Sequence, residues 1–162
     1  MIDTATLWIK NPLAILVDDA QQADGGVVVA GNKIIELVPA GQQPSTPVTQ
    51  VFDAHEHVVL PGLINTHHHC YQTLTRAYSG ALNQELFPWL KSLYPVWAGL
   101  EADMLALATE VALTELLLSG CTTAADHHYL FLAGLERAID VQVQADRKVD
   151  MRVTLRRGTM SM

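Results

Sequence analysis

Leu60-Pro-Gly-Leu-Ile-Asn-Thr-His-His-His-Cys-Tyr-Gln72 is an apolar run that ends in three consecutive histidines. Pro61 sits at its start, where a missing backbone N–H is tolerated in a strand. Side-chain alternation along a strand puts Leu63, Asn65, His67 and His69 on one face, and Ile64, Thr66 and His68 on the other. Imidazoles at i and i+2 stand roughly 6–7 Å apart at Cα, so both ring nitrogens can converge on one ion just beyond the strand end. A catalytic zinc takes three protein ligands and leaves a position for water, whose pKa it lowers to about 7. His67 and His69 are therefore the candidate metal ligands, and His68 points away from them. Cys70 could add a ligand, but it reads first as a small buried side chain. Gln72, three residues past His69, could present an amide to a substrate.

Downstream, residues 101–119 carry the clearest helical pattern. Met104, Leu107, Ala108, Val111 and Leu118 define an apolar stripe that Leu105, Ala112 and Leu116 widen, and Gly120 follows as a stop. The connection before it, residues 70–100, is long and aromatic, with a helix expected within Ala81–Leu93. Loops of this length commonly form lids or binding segments. Trp89 and Trp97 lie in it and could stack on a planar ring or simply pack. Cys121–His128 reads as a second buried strand with a polar end. Asp126, His127 or His128 can join the histidine pair only if this strand lies beside the first, with its end at the same height. A helix at about Gly134–Lys148 and a strand at Met151–Leu155 follow. Strands alternating with helices predict parallel βαβ units, whose carboxyl edge carries the chemistry. Three such strands cannot close a barrel and read as the opening of a longer fold.

Upstream, residues 1–58 read as a separate β-rich part, distinct from the α/β part at 59–162. Strands are expected at Thr6–Ile9, Ala14–Val17, Val27–Ala30 and Lys33–Val38, with a last pair around Val51-Phe52 and Val58-Val59. Gly31-Asn32 between two β runs predicts a hairpin, since such turns need positive φ. His55 and His57 stand in a polar turn with no apolar strand beneath and read as surface residues.

The 162 residues include ten Lys or Arg against seventeen Asp or Glu, a formal charge of −7. No basic face is available for a nucleic-acid backbone, so a small substrate suits this chain better. Its most apolar segment, Met104–Leu118, contains Glu110 and Glu115 and reads as a buried helix, not a membrane span. No signal peptide is evident at Met1–Thr6. The two cysteines, Cys70 and Cys121, have no CxxC spacing, which points to a soluble protein of the reducing cytoplasm.

The run Pro61-Gly62-Leu63-Ile64-Asn65-Thr66-His67-x-His69 resembles the first-strand signature of the amidohydrolase superfamily. Leu60–Ala77, Glu85–Trp97, Leu116–Phe131 and Met151–Met160 resemble its purine- and pterin-deaminase group. The resemblance implies an α/β fold, the first three βα units of a (β/α)8 TIM barrel preceded by part of a composite β-sandwich. It also implies one zinc, or alternatively iron, held by His67 and His69, and a substrate contact from Gln72. The implied reaction is hydrolytic deamination of an amino-purine-like heterocycle of the 8-oxoguanine type, with isoxanthopterin or a hydroxy-triazine as alternatives. The family's remaining metal histidine, proton-shuttling Glu and late Asp belong to strands 5 to 8, so no catalytic residue is assigned within this chain. It is expected to be a truncated N-terminal part, inactive alone, or else a non-catalytic metal-binding or assembly piece. Homo-oligomers are common in the family.

Overall fold

The computed structural model describes residues 5–16 and 23–158. The chain divides into two compact units, residues 1–61 and 62–162. In the first, β1 (Thr6–Lys10), β2 (Ala14–Ile15), β3 (Gly26–Ala30), β4 (Lys33–Val38), β5 (Gln50–Asp53) and β6 (Val58–Val59) form two sheets. One has the order β4-β3-β1-β5 and the other pairs β2 with β6. The expected hairpin forms, with Ala30 opposite Lys33 and Gly31 at φ +57°. The expected last strand pair does not. β5 runs parallel to β1, and β6 runs parallel to β2, so the two lie in different sheets. The cause is the tight turn between them, closed by the His57 amide donating to the Ala54 carbonyl at 2.8 Å. Val17, expected to end a strand, lies outside the described residues. Trp8, Val28 and Val38 make one small core, and Ile15, Ala23 and Val27 another. His55 and His57 are exposed.

Glu36 on β4 ties down the loop that follows. Its Oε1 accepts from the Ser45 amide at 2.7 Å and its Oε2 from the Thr46 amide at 2.8 Å. Hydrogen bonding from the Thr46 side chain first, then from these amides, lowers the Glu36 pKa to about 2. The sign follows from the charged form being preferred in the fold. The contribution is complete above the unfolded carboxyl's value, near 4.3, and is lost as pH falls toward 2. An NMR titration should therefore find Glu36 still ionised at pH 3, and an ordinary carboxylate midpoint would show that the loop is not held this way.

The second unit is α/β. β7 (Leu63–His68), β8 (Cys121–His128) and β9 (Arg152–Arg157) form a parallel sheet in that order. Between β7 and β8 run two 3-10 turns, Cys70–Thr75 and Ser79–Ala81, then α1 (Leu86–Trp97) and α2 (Ala102–Leu118). α3 (Ala138–Val149) connects β8 to β9. α1 starts and ends later than the sequence suggested, because Pro88 and Pro95 are both accommodated, Pro95 inside the helix. α3 also starts later, since residues 134–137 form a turn in which Glu136 Oε1 accepts from the Gly134 amide at 2.9 Å. No helix among the described residues is long and apolar enough to cross a membrane.

The face that α2 buries is a correction to the stripe read from sequence. Leu105, Ala108, Thr109, Ala112 and Leu113 are buried, while Met104, Leu107, Val111 and Leu118 are exposed. α2 is apolar on nearly every side, so periodicity alone could not choose a face. Packing chose the one where Ala108 and Ala112 allow close approach, and the Thr109 hydroxyl satisfies itself on the Leu105 carbonyl at 2.8 Å.

Candidate metal centre

The end of β7 lies level with the start of the polar end of β8, which runs two residues further to His128. His68 pairs with Asp126, after a register irregularity between Asn65 and His68. This meets the condition that the sequence left open. β8 continues in register with β9, from Thr123 opposite Arg152 to His128 opposite Arg157.

The His67 and His69 rings meet at the polar end of β7. Their Nε2 atoms are 3.1 Å apart. His69 stands just past the strand, at φ −135° and ψ 83°. Its Nδ1 lies 2.7 Å from the His127 carbonyl oxygen, which can only accept, so Nδ1 carries the proton. The Nε2 lone pair of His69 is thereby left facing His67. An imidazole whose far nitrogen donates to a carbonyl is the usual arrangement of a metal-ligating histidine. These residues fit a metal ion.

The other polar residues at the β8 end separate by face. The His127 ring stacks on that of His67, with centroids 5.1 Å apart and planes at 26°. Asp126 and His128 point into the interior and are fully buried. Burial pushes the pKa of His128 down, and its Nε2 lies 2.6 Å from the Leu130 carbonyl. His68 faces away from the pair, as alternation requires, and burial lowers its pKa too.

A second group of donors lies behind the pair. Ligand atoms of His68, Cys70 and Asp126 all fall within 4.8 Å of one another. Burial first, and the charge of Asp126 second, push the Cys70 thiol strongly up. Both Asp126 oxygens already accept hydrogen bonds, from the Cys70 amide at 2.6 Å and from Gln142 Nε2 at 2.7 Å. The trio reads as a buried hydrogen-bonded network, and Cys70 as the small buried side chain that its sequence context suggested.

Gln72 lies beside the pair. A cavity of about 330 Å³ is lined by His67, His68, His69, Gln72, Thr75 and Trp89 among others. An adjoining one of about 350 Å³ has His69, Gln72, Trp89, Tyr94 and Tyr129 in its walls. The Gln72 amide donates to the Tyr71 hydroxyl at 3.2 Å, which orients it. The two tryptophans that sequence could not tell apart differ here. Trp97 is buried among Tyr71, Trp89 and Tyr94, whereas Trp89 lines both cavities. Tyr129, with its ring 5.4 Å from that of His69, was missed. Its only signal is its place immediately after the polar end of β8.

The chain is similar to several known proteins. An 8-oxoguanine deaminase of Pseudomonas aeruginosa is 63% identical over 96% of this chain, which spans 34% of that relative. An isoxanthopterin deaminase from an unidentified prokaryote is 31% identical over 93% of the chain, which spans 32% of it. The chain thus covers about a third of the length of these curated relatives. A variant of the atrazine chlorohydrolase of Arthrobacter aurescens, solved with zinc and atraton, superposes with a TM-score of 0.82 at 26% identity. That match covers 96% of this chain and 36% of the other. The amidohydrolase family model matches residues 58–161. Well over half of the sequence is included in that match, and the chain belongs to the amidohydrolase family.

Proposed function

We propose that this chain supplies the opening βα units of a metal-dependent (β/α)8 hydrolase, preceded by part of a β-sandwich over residues 1–58, and that the whole enzyme hydrolytically deaminates 8-oxoguanine or a close amino-heterocycle. The observation that carries the substrate class is the 63% identity to an 8-oxoguanine deaminase along nearly the whole chain. His67 and His69 hold the ion, with zinc favoured over iron by the zinc-bound relative. Such an ion makes water a nucleophile at neutral pH. The chain's own residues bind and orient. The His127 carbonyl holds His69 in the Nδ1–H tautomer, leaving Nε2 free to ligate. Gln72 offers its amide to the edge of the heterocycle, and Trp89 offers a ring face on which a planar substrate stacks. Two buried free cysteines suit a reducing cytoplasm.

A second reading is favoured by the exposure of apolar side chains on β7. Leu63 is 55% and Ile64 68% exposed, on a strand paired only on one side among the described residues. By itself the chain is then an assembly piece, without catalysis, that pairs with further barrel polypeptide or with another copy.

One assay separates these readings. Ammonia release from 8-oxoguanine, isoxanthopterin and a hydroxy-triazine is measured for the chain alone and for the chain joined to the remaining two-thirds of the P. aeruginosa relative. The joined protein is expected to act on 8-oxoguanine and the chain alone on nothing. A joined protein that prefers the pterin or the triazine overturns the substrate, and turnover by the chain alone overturns the division of the site.

A further inference from the structure

Asp126 is fully buried, and a buried carboxylate is costly unless every lone pair is used. Its Oδ1 accepts from the backbone amide of Cys70 at 2.6 Å, and its Oδ2 from Gln142 Nε2 at 2.7 Å. The peptide that carries the Cys70 amide is the one directly after His69. That residue has left the strand, at φ −135° and ψ 83°, and its carbonyl accepts from the Gln72 amide at 2.9 Å. The next residue of β8, His127, holds the other end of the same histidine through its carbonyl on Nδ1. Two consecutive residues of β8 thus grip His69 from opposite sides, one by the backbone and one by the ring.

We infer that Asp126 is a positioning residue for the metal centre, acting through the Cys70 amide to set the backbone from which His69 presents Nε2. The inference rests on the assignment of His67 and His69 to the metal. Asp126 itself does not touch the ion. Its hydrogen bonds matter, and its charge does not. The neutral isostere should therefore serve. In D126N the Asn oxygen can still accept from Cys70. Its NH2 can donate to Gln142 Oε1, which is buried without a partner, once the Gln142 amide turns over.

The test measures zinc affinity by chelator competition on the chain joined to the remaining two-thirds of the P. aeruginosa relative, where the ion's further ligands are expected, together with the His69 tautomer by imidazole 15N NMR. Asp126→Ala is expected to weaken zinc 10–100-fold, the usual cost of removing an outer partner, and to mix the His69 tautomers. Asp126→Asn should stay within about threefold of the parent and keep Nδ1 protonated. Unchanged zinc affinity in folded D126A overturns the inference, and so does a loss in D126N as complete as that from removing His67 and His69, which would make Asp126 a ligand. If the parent takes up no zinc, the metal assignment falls, while the tautomer comparison still decides the role of Asp126. If D126A does not fold, hydrogen exchange in the parent decides. The Cys70 amide must exchange slowly although it lies in an irregular segment, and fast exchange overturns the grip.

Discussion

Replacing His67 and His69 together by alanine is expected to abolish stoichiometric zinc binding. Their Nε2 atoms lie 3.1 Å apart, and His69 is locked with its lone pair toward His67, so each removes half of a converging donor pair. Each single variant should lose more than the roughly 10–100-fold that an outer partner costs. His68→Ala and Cys70→Ala are the informative controls. They sit in the neighbouring donor group with Asp126, and should leave zinc content near one per chain if that group is a hydrogen-bonded network. Metal analysis after dialysis reads all of these directly in the chain joined to the remaining two-thirds of the P. aeruginosa relative. Zinc lost from the Cys70 or His68 variant, and kept in the double variant, would move the centre behind the strand. Neither outcome depends on turnover, so the metal assignment can fail without touching the proposed substrate.

The second large effect is on stability. Trp97→Ala should destabilise the α/β unit by about 3–5 kcal/mol, the range for truncating a buried aromatic side chain. Trp97 is 2% exposed, packs edge-on against Tyr71, Trp89 and Tyr94, and donates from Nε1 to Thr75 Oγ1 at 3.0 Å. Its removal leaves a cavity under the segment that carries Gln72. Trp97→Phe keeps most of the packing but removes the indole's hydrogen bond to the Thr75 hydroxyl, which keeps its own on the Gln72 carbonyl, so an intermediate loss is expected. Trp89→Ala should cost much less stability, because that ring already borders open cavity. Urea unfolding of the three variants tests the order. A Trp89 variant as unstable as the Trp97 variant would assign both rings to packing and withdraw Trp89 from the substrate face.

These two residues mark a limit of what sequence can say. Both tryptophans lie in the same aromatic connection, and both become part of α1. Which of them is sealed in depends on what crosses above, here Tyr71 from the turn after β7 and Leu130 and Leu135 from beyond β8. α2 repeats the lesson. Its stripe was visible, but the helix is apolar nearly all round, and the buried face was decided by its neighbours. The N-terminal strands were also legible one by one. Their pairing was not, because a four-residue turn between β5 and β6 redirects the chain into another sheet.

The histidine pair itself was readable from local chemistry alone. Alternation on an apolar strand puts His67 and His69 on one side and His68 on the other, whatever the rest of the chain does. The α/β alternation after residue 58 was legible for the same reason, since strand and helix periods are properties of neighbouring residues. Only the tertiary structure could show that the polar end of β8 lies beside the end of β7. From that register come the His127 carbonyl on the His69 ring, the Asp126 carboxylate under the Cys70 amide, and the burial that keeps the Cys70 thiol protonated. Each joins residues more than fifty positions apart, and the spacing of residues along a chain does not encode which strands will lie side by side.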